Sequence, residues 1–502
     1  MVEWEIEMKY SAYQEAVFDF GRSEQGGNGR VEAVAGSGKT TTAMKLIEGM
    51  PGTGLFSTFT KVIIEEAKKR IMGAGSEVSR RVTAQNYNSF GAGLIFKYMR
   101  PAPRLEVTQG KKTELIFRNN VLNGAIGEDY KTFSRNRSAV VRMVSLFKAL
   151  GVLTGREAQE RMTDVMDYYD VDRPKDDHFE DYLLSTWDVC LRRFDIIDFQ
   201  DQVFLPVLLG MEPRQVDFLV IDEYQDTCPV ESVLMRSACR EGRTVVFGDP
   251  YQAIYSFKGT RPDSMSDFGG TRLPLSICYR CSRSVVTEAR TIVNHIESGP
   301  DAVEGSVVSV TEKQFREQVT VDDMVLCRVT EDLIESVLGF LKDGRAAYVV
   351  GREYGVQLSY FVSKICQDRG TNVDISVFVD LLEEHFNYNH PLLLKMGKDQ
   401  QAIRLESQTE SLRVLVQGCR NTDELLGRIT AMFTENGSGV RHMTIHKAKG
   451  LESNNVYILR PDKLPHPRAK KAHMIEEEQR LRYVAITRAR VNLFYVQPPA
   501  KA

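Results

Sequence analysis

Residues 33–40, which read AVAGSGKT, constrain the fold of this chain more than any other stretch. They match the pattern G-x-x-x-x-G-K-[ST] except at its first position, where Ala33 replaces glycine, as happens in some nucleotide-binding families. A strand-like apolar run precedes the turn and a helix-like segment follows it, as a phosphate-binding loop requires. In such a loop the glycines let backbone N–H groups curl around an anion, the lysine adds a charge and the threonine can bind Mg²⁺. The predicted nucleotide-binding residues here are Gly36, Ser37, Gly38, Lys39 and Thr40.

A pair of acidic residues follows in DFLVIDEYQD, residues 217–226. The apolar run 218–221 is typical of a buried parallel strand, and it ends on Asp222 and Glu223. At that strand end Asp222 would hold Mg²⁺ between two phosphates, and Glu223 would orient or deprotonate the attacking water. Each feature alone has a simpler explanation, a chance glycine turn or a solvated acidic surface. Together they predict an enzyme that hydrolyses a nucleoside triphosphate.

The composition, 42% hydrophobic and 26% charged residues among 502, is that of an ordinary soluble globular protein. This length suggests three or four structural units at about 150 residues each. No stretch approaches the about 18 apolar residues of a membrane span, and the N-terminal MVEWEIEMKY is too acidic for a signal peptide, so we expect no membrane partner. We expect the protein in the cytoplasm of a bacterial or phage-infected cell, or in the nucleus if the source is eukaryotic.

The net charge of −3 neither requires nor excludes a nucleic-acid partner, which would have to be met by a local basic surface. The eight cysteines are scattered. Only Cys278 and Cys281 form a C-x-x-C, without the second pair or the spaced histidines of a zinc site. Free thiols in a reducing compartment are the prediction.

Eight motifs follow one another in a fixed order along the chain. They are YSAYQEAV, AVAGSGKTTT, STFTKVIIEEAKKRI, IDEYQD, VFGDPYQAIYSFKGT, LPLSICYRCS, MTIHKAKGLE and EEEQRLRYVAITRAR, and they span residues 10–490. In identity and order these motifs resemble those of the superfamily 1 helicases of the UvrD, Rep and PcrA type. The resemblance implies an α/β fold of two RecA-like P-loop domains with parallel sheets, a helical insertion in each, and ATP in the cleft between them.

The same resemblance implies the domain boundaries. Residues 1–91 and 195–272 would form the first RecA-like, ATP-binding domain, and 92–194 its helical accessory insertion. Residues 273–351 and 439–502 would form the second RecA-like domain, and 352–438 a reduced helical accessory insertion. Helical spacing supports the first insertion, because KKTELIFRNNVL and SAVVRMVSLFKALGVL place apolar residues three and four positions apart.

Charged residues of the first insertion have two interpretations. Its cations would lie along the nucleic acid or on a solvated helical face; they include Arg135, Arg137, Arg142, Arg192 and Arg193. Asp198 and Asp201 match a D-F-x-D stretch of the family and are predicted to have a packing role.

The resemblance assigns roles around ATP residue by residue. Arg280 and Arg488 would act as arginine fingers on the transferring phosphoryl group, a contribution of about 10³ to 10⁵ in rate. Gln252 would sense the γ-phosphate and link it to the nucleic-acid track. Thr41 departs from the family, in which an arginine often stands beside the adenine at this position. The remaining nucleoside contacts would be Gln14 to adenine, Tyr279 stacked on the base and Glu452 to the ribose.

A further group of residues would hold the strand. Three aromatic residues stand where the family stacks bases, at about 1–3 kcal/mol per base, although each could instead belong to a core. They are Phe59, Tyr255 and Phe257, the last in place of the more usual tryptophan. Other residues would face the phosphate backbone, which positions a strand without reading its sequence; they are Thr60, Ser89, Lys258, Thr444 and His446. Asn88 stands where the family has histidine, so this position can donate a hydrogen bond but cannot gain charge.

These features predict an ATP-dependent single-stranded DNA translocase and DNA helicase of 3′ to 5′ polarity. Its cofactors would be ATP and Mg²⁺, and its partners single-stranded DNA and tailed duplex DNA. One alternative is a nucleic-acid-stimulated ATPase that remodels or displaces bound proteins without unwinding. Another is action on RNA, since the contacts that distinguish the 2′-OH are not identifiable. A small-molecule kinase would leave the paired arginines and the DEYQD block unexplained.

Overall fold

The computed structural model describes residues 9–23, 27–122, 130–367, 369–370, 372–396, 398–467 and 469–498. The chain divides into two compact units, Met1–Ser276 and Ile277–Ala502. Each unit has its own parallel sheet.

The first unit contains a six-stranded sheet in which all neighbouring strands are parallel. The strands of this unit are β1 (Gly29–Ala33), β2 (Gly54–Thr58), β3 (Val82–Asn86), β4 (Arg104–Leu105), β5 (Ile196–Ile197), β6 (Phe218–Asp222), β7 (Arg243–Gly248) and β8 (Thr271–Leu275). In the sheet the order is β3-β2-β6-β7-β1-β8, and β4 and β5 form a separate parallel pair. Because β1 and β6 run in the same direction on either side of β7, their carboxyl ends reach the same edge of the sheet.

Helices surround this sheet and form the first insertion. They are α1 (Ala12–Arg22), α2 (Lys39–Gly49), α3 (Lys61–Gly73), α4 (Ser76–Arg81), α5 (Tyr87–Tyr98), α6 (Lys111–Leu122), α7 (Tyr130–Leu150), α8 (Gly155–Tyr168), α9 (Phe179–Cys190), α10 (Asp201–Leu208), α11 (Pro229–Arg236) and α12 (Ser264–Phe268). The sequence-predicted domain boundary, between residues 272 and 273, falls inside β8, which pairs with β1 in the first unit.

The helices of the first insertion share a hydrophobic core with one face of the first sheet. Val144 and Trp187, on α7 and α9, are buried in the same cluster as Leu219 and Ile221 of β6. A buried charge network joins the same parts of the chain, because Lys112 Nζ lies 2.7 Å from Asp201 Oδ2. Further contacts of this network join Lys148 Nζ to Asp198 Oδ2 and to Asp201 Oδ1, each at 2.8 Å. The insertion is therefore fixed to the sheet by apolar packing and to the start of α10 by paired charges.

The second unit contains a seven-stranded parallel sheet of order β11-β17-β16-β12-β15-β13-β14. The strands of this unit are β9 (Ile277–Cys278), β10 (Glu297–Ser298), β11 (Ser306–Val310), β12 (Met324–Cys327), β13 (Ala347–Val350), β14 (Phe433–Thr434), β15 (Val440–Thr444), β16 (Ser453–Leu459) and β17 (Ala489–Val496). β9 and β10 form a separate parallel pair.

The helices of the second unit are α13 (Arg283–Ala289), α14 (Glu312–Gln318), α15 (Thr330–Lys342), α16 (Arg352–Ile365), α17 (Ile375–Lys395), α18 (Asp399–Leu415), α19 (Thr422–Met432) and α20 (Ala472–Ile486). Helices α16 to α19 occupy the predicted second insertion. Leu382, Leu412 and Ile429, on three of these helices, share a core with Val349 of β13 and Val440 of β15. The predicted fold class, two α/β units with parallel sheets and a helical insertion in each, is confirmed.

Membrane-spanning potential is low throughout the part of the chain that the structure describes. No single helix there combines the length and the apolar composition that a crossing needs, and one bent pair, 132–150 with 155–168, meets those criteria only when its two helices are joined.

Candidate nucleotide and nucleic-acid sites

The turn between β1 and α2 has the geometry of a phosphate cradle. Gly36 and Gly38 have φ angles of 69° and 77°, a left-handed conformation that favours glycine. Helix α2 begins at Lys39, directly after the second glycine, so its N-terminal N–H groups lie at the turn. The Ser37 hydroxyl is buried and has no hydrogen-bond partner among the described residues. A bound anion would supply that partner.

The acidic pair lies at the same edge of the sheet as this turn. Thr40 Oγ1 donates a hydrogen bond to Asp222 Oδ2 at 2.9 Å, and Lys39 Nζ lies 3.6 Å from Glu223 Oε1. Burial, reinforced by the neighbouring negative charge of Glu223, raises the pKa of Asp222 to about 6. Two carboxylates, a hydroxyl and an ammonium group therefore meet where the sequence predicted them.

This cluster fits the Mg²⁺ that the sequence implies. Mg²⁺ prefers hard oxygen ligands, and Thr40 and Asp222 present a hydroxyl and a carboxylate oxygen in contact with each other. Burial and the adjacent Glu223 disfavour the charge on Asp222, and a cation would offset both effects. Thr40 and Asp222 are the residues that would hold the ion.

Glu223 adopts a backbone conformation that is rare for a residue with a side chain. Its φ is 55°, in the left-handed region, which costs on the order of 1–3 kcal/mol outside glycine. The residue directly follows β6 and begins the 3-10 turn Tyr224–Asp226. Strain of this kind is found at functional sites, where it fixes the direction of a side chain. The Glu223 carboxylate also accepts a hydrogen bond from Gln225 Nε2.

A chain of side-chain hydrogen bonds leads from Glu223 to the loop after β7. Gln225 Oε1 accepts from the Asp249 backbone N–H at 3.0 Å, and Asp249 Oδ2 accepts from Gln252 Nε2 at 2.6 Å. Burial raises the pKa of Asp249. The path from Glu223 through Gln225 and Asp249 to Gln252, here named the relay, consists of buried or half-buried side chains.

Sequence reasoning missed Gln225 as a hydrogen-bond partner of Glu223. The available signal was the position of Gln225 two residues after Glu223 in a tight turn, which brings the two side chains together. The residues that complete the relay lie more than twenty positions further along the chain, so only the pairing of β6 with β7 brings them close.

Two of the residues predicted to contact the nucleoside, Gln14 and Thr41, form hydrogen bonds within the protein. Gln14 Oε1 accepts from the Ser11 backbone N–H at 3.0 Å, and Gln14 Nε2 donates to Thr42 Oγ1 at 3.0 Å. Thr41 Oγ1 accepts from Arg70 Nη1 at 3.3 Å. Arg70 of α3 therefore reaches position 41, where relatives often carry an arginine. Adenine recognition by Gln14 stays a prediction.

The predicted strand-contacting aromatic residues of the first unit lie together around Lys258. Its ammonium group is 4.1 Å from the ring centroid of Phe59 and 4.2 Å from that of Tyr255, two cation–π contacts. The rings of Tyr255 and Phe257 meet edge to face at 5.9 Å. Phe257 is 52% exposed, whereas Phe59 packs partly against the core. We name these four residues the aromatic–lysine group.

The polar residues predicted to face phosphates lie nearby on α3 and α5. Thr60 is the N-cap of α3 and accepts from the Ile63 backbone N–H, and Ser89 is exposed in the first turn of α5. Asn88 Nδ2 donates to the Phe199 carbonyl at 2.6 Å and to Gln202 Oε1 at 3.2 Å. Asn88 thus uses its donor group within the protein.

The two predicted arginine fingers of the second unit have different surroundings. Arg280 Nε lies 2.6 Å from Glu452 Oε2, and the Arg280 side chain is 24% exposed. Arg488 is 1% exposed. Its guanidinium donates to the carbonyls of Val484 and Leu451 at 3.0 and 3.1 Å. The structure therefore places Arg488 inside its own unit, where it donates to two main-chain carbonyls and to the Thr487 hydroxyl.

The remaining predicted residues of the second unit differ in exposure. Tyr279 is 47% exposed, so its ring face is available for stacking, and Thr444 ends β15 half-buried. Burial, with a smaller effect from the Arg328 cation, lowers the pKa of His446 to about 4. His446 is therefore neutral at pH 7 and can offer a phosphate a hydrogen bond but no charge. Glu452, the predicted ribose contact, is paired with Arg280 and lies 3.6 Å from Arg490.

Two family models match the chain. The UvrD/REP helicase N-terminal domain matches residues 22–271, and the UvrD-like helicase C-terminal domain matches residues 396–497. The first match contains the phosphate turn, the acidic pair and the aromatic–lysine group. The second contains Thr444, His446, Glu452 and Arg488.

Individual relatives agree with these models. The ATP-dependent DNA helicase Rep of Escherichia coli (strain K12) is 24% identical over 287 residues, which are 52% of this chain and 40% of Rep. YjcD of Bacillus subtilis (strain 168) is 21% identical over 598 residues, covering 93% of this chain and 76% of YjcD. The chain therefore spans less than half the length of Rep.

Among solved structures, the arterivirus nonstructural protein 10 helicase aligns with 97% of this chain and 62% of its own, at 12% identity and a TM-score of 0.36, too low to identify a fold. The family assignment depends on the two domain models, the Rep and YjcD matches and the order of the motifs. This chain belongs to the superfamily 1 helicases of the UvrD and Rep type.

Proposed function

We propose that this protein is an ATP-dependent DNA helicase that moves along single-stranded DNA in the 3′ to 5′ direction. The observation that carries the proposal is the relay, which joins the carboxylate at the phosphate turn to the loop that presents the aromatic–lysine group. The hydrogen bonds of the relay lead from Glu223 to Gln252, three residues before Tyr255, and this supports a link between the proposed nucleotide site and the proposed strand-contacting surface.

The first part of the proposed mechanism is ATP binding and hydrolysis. The backbone N–H groups of the turn and Lys39 would bind the phosphates, and the unpartnered Ser37 hydroxyl would donate to one of their oxygens. Glu223 would accept the proton of the attacking water. Mg²⁺, held by Thr40 and Asp222, would neutralise charge on the phosphates when bound. Arg280 keeps the role that the family resemblance gives it, stabilisation of the transferring phosphoryl group, whereas the burial of Arg488 within its own unit favours a structural role for that residue.

The second part is transmission of the nucleotide state to the strand. Gln252 donates to Asp249, and three residues later Tyr255 begins the aromatic–lysine group. A change in the hydrogen bonding of Glu223 would alter the relay and, through Gln252, the loop that carries Tyr255, Phe257 and Lys258. Bases would stack on the exposed Phe257 ring at about 1–3 kcal/mol each, without sequence preference. Lys258 would exchange a ring contact for a backbone phosphate.

The relay can be tested by removing its middle member. We expect Gln225→Ala to lower the stimulation of ATPase activity by single-stranded DNA more than it lowers the unstimulated rate, because the strand-contacting loop loses its connection to Glu223. Gln417→Ala, at an exposed position in the second insertion, is the matched control. Equal loss of the stimulated and unstimulated rates would contradict transmission through Gln225.

The activity itself is tested by ATPase and strand-displacement assays on 3′-tailed and 5′-tailed duplexes, with single-stranded RNA as a parallel activator. We expect hydrolysis stimulated by DNA, unwinding from the 3′ tail, and loss of both in Glu223→Gln. Unwinding only from a 5′ tail would overturn the polarity. Stimulation by RNA alone would overturn the choice of DNA, and displacement of bound protein without unwinding would replace the helicase by the remodelling ATPase.

A further inference from the structure

The structure separates one arginine of the first insertion from the other cations considered there. Arg135 Nη1 lies 3.4 Å from Asp176, Arg137 Nη2 lies 2.7 Å from Glu114, and Arg193 Nε lies 3.0 Å from Asp195. Arg192 is exposed to solvent. Arg142 is half-buried, and among the described residues it forms no ion pair or side-chain hydrogen bond. The guanidinium group of Arg142 is partly removed from water, and no carboxylate among the described residues pairs with it.

Arg142 lines an open cavity of about 360 Å³ between α6, α7 and the segment at Gln200. The polar side chains of this cavity that can donate a hydrogen bond are Gln109, Thr113, Arg137, Ser138, Arg142, Ser145 and Gln200. One carboxylate, that of Glu114, also lies in the wall, but Arg137 and Lys111 pair with it at 2.7 and 3.5 Å. The cavity is therefore rich in donors and carries a net positive charge.

Burial acts on Arg142 in the direction that favours an anion. Desolvation lowers its pKa, although a guanidinium stays protonated near neutral pH. A desolvated and unpaired charge is costly to maintain, and a negatively charged ligand offsets that cost. Arginine is suited to this task because its planar group can donate two parallel hydrogen bonds to phosphate oxygens.

The cavity lies beside the strand-contacting surface of the same unit. Arg142, Ser145 and Ala149 are spaced by three and four residues and so share one face of α7. Ala149 packs against Gly259, because a Cβ added to that glycine would lie 2.7 Å from the Ala149 Cβ. Gly259 directly follows Lys258 of the aromatic–lysine group. At 1.5 Å per residue, Arg142 is about 10 Å along α7 from this contact.

A second connection leads from the cavity to α5. Gln200 Nε2 donates to Ser145 Oγ at 2.7 Å in the cavity wall. The carbonyl of the preceding residue, Phe199, accepts from Asn88 beside the predicted phosphate-contacting Ser89. The cavity thus adjoins two separate groups of residues that were assigned to a nucleic-acid strand on other grounds.

We propose that this cavity binds a phosphodiester group of the nucleic-acid strand, with Arg142 supplying the charge and the surrounding hydroxyl and amide groups supplying hydrogen bonds. The assignment depends on the proposed function, and it extends the strand path from the aromatic–lysine group onto the first insertion. It gives the insertion a defined anchoring point for the backbone.

The test is the salt dependence of binding to a fluorescently labelled oligo-dT, measured by anisotropy for Arg142→Gln. The control is Arg156→Gln, which removes the same charge from an exposed arginine paired with Glu160 on α8. For single strands each phosphate contact contributes about 0.7 to the slope of log K against log salt. We expect Arg142→Gln to reduce the slope by about 0.7 and to raise Kd several-fold, and Arg156→Gln to change neither.

Two further variants test the site independently of any loss of folding in Arg142→Gln. Arg142→Lys keeps the charge and should keep the wild-type slope, and Ser138→Glu adds an anion at an exposed position on the cavity wall and should weaken binding. Equal slopes for Arg142→Gln and Arg156→Gln would overturn the site while leaving the proposed function intact. Stabilisation of the wild type by inorganic phosphate alone, lost in Arg142→Gln without a change of slope, would replace the strand by a free anion. A wild type whose ATPase does not respond to DNA would instead overturn the proposed function.

Discussion

The predicted catalytic residues of the first unit and those of the second unit differ in what surrounds them. In the first unit Lys39 Nζ lies 3.6 Å from Glu223 Oε1 and Thr40 donates to Asp222, around a turn in which the Ser37 hydroxyl has no partner among the described residues. In the second unit Arg488 is buried and donates to carbonyls of the unit itself, and the partly exposed Arg280 is paired with Glu452. The first arrangement is prepared for a ligand, whereas the second holds its charged groups in place through protein contacts.

A motif residue can therefore be positioned in two ways. A residue such as Ser37 is placed by backbone geometry, and its buried hydroxyl has no hydrogen-bond partner among the described residues. A residue such as Arg488 is placed by the hydrogen bonds of its own side chain, so that removing it also removes structure. Mutations that separate activity from stability therefore test the comparison.

The largest effect is expected for Arg280→Ala. Its ion pair with Glu452 is partly exposed and contributes little to folding, so the thermal unfolding temperature should stay close to that of the wild type. The DNA-stimulated kcat should fall by about 10³ or more if Arg280 acts as an arginine finger. Steady-state ATPase assays beside a thermal melt measure both quantities. A fall of less than tenfold would exclude the finger role.

In the first unit, Glu223→Gln should lower kcat by about 10² to 10⁴, since the amide cannot accept the proton of the attacking water. Nucleotide binding should be retained, because the turn and Lys39 are untouched. Binding of a fluorescent ATP analogue and single-turnover hydrolysis separate the two effects. Lost binding with an unchanged rate per bound nucleotide would assign Glu223 to binding instead.

Arg488→Ala should act mainly on stability. The carbonyls of Val484 and Leu451 lose their buried donor and a cavity remains, at a cost of roughly 2–4 kcal/mol. Urea unfolding followed by circular dichroism measures the change. If the variant loses ATPase activity while its unfolding curve is unchanged, Arg488 belongs with the ligand-directed residues of the first unit.

The smallest expected effect concerns a buried histidine of the second unit. Burial lowers the pKa of His442 from 6.5 to about 4, and its ring contacts Ser336 Oγ and the Val440 carbonyl. Because the unfolded chain binds a proton more readily than the folded one, stability is complete above pH 6.5 and declines as the pH falls toward 4. The loss reaches up to about 3 kcal/mol for this group.

His442→Gln should flatten that decline, since the amide does not titrate in this range. Chemical unfolding at pH 7.5, 6, 5 and 4.5 gives the slope for both proteins. His446 titrates in the same window and remains in the variant, so part of the decline should persist. An identical slope in both proteins would show that the pKa of His442 does not differ between the folded and the unfolded chain.

The sequence was sufficient to predict the phosphate turn and the acidic pair, because their chemistry is local. The left-handed backbone conformation at positions 36 and 38 favours glycine, and the apolar run before Asp222 is typical of the buried strand that the structure contains. The order of the motifs then predicted two parallel-sheet units with insertions. The phosphate turn and the acidic pair depend on residues that are close together in the sequence.

Other features depend on residues that are distant in sequence. Nothing near Arg142 distinguishes it from Arg135 or Arg137, whose partners Asp176 and Glu114 lie far along the chain. The burial of Arg488 has the same origin, since a motif gives the identity of a side chain but not its surroundings. The relay was missed because its members lie in the turns after β6 and β7, two strands that pair only in the fold.

The core shared by the second insertion and its sheet limits how that insertion can behave. Leu412 and Ile429 are buried against the same cluster as Val349 and Val440, so swinging these helices outward as a rigid arm would expose a continuous apolar surface to water. Protease digestion of the folded protein should therefore spare the junctions near residues 351 and 438 until the entire second unit melts. Helices α17 to α19 are therefore expected to stay packed on the sheet of the second unit instead of moving as a separate body.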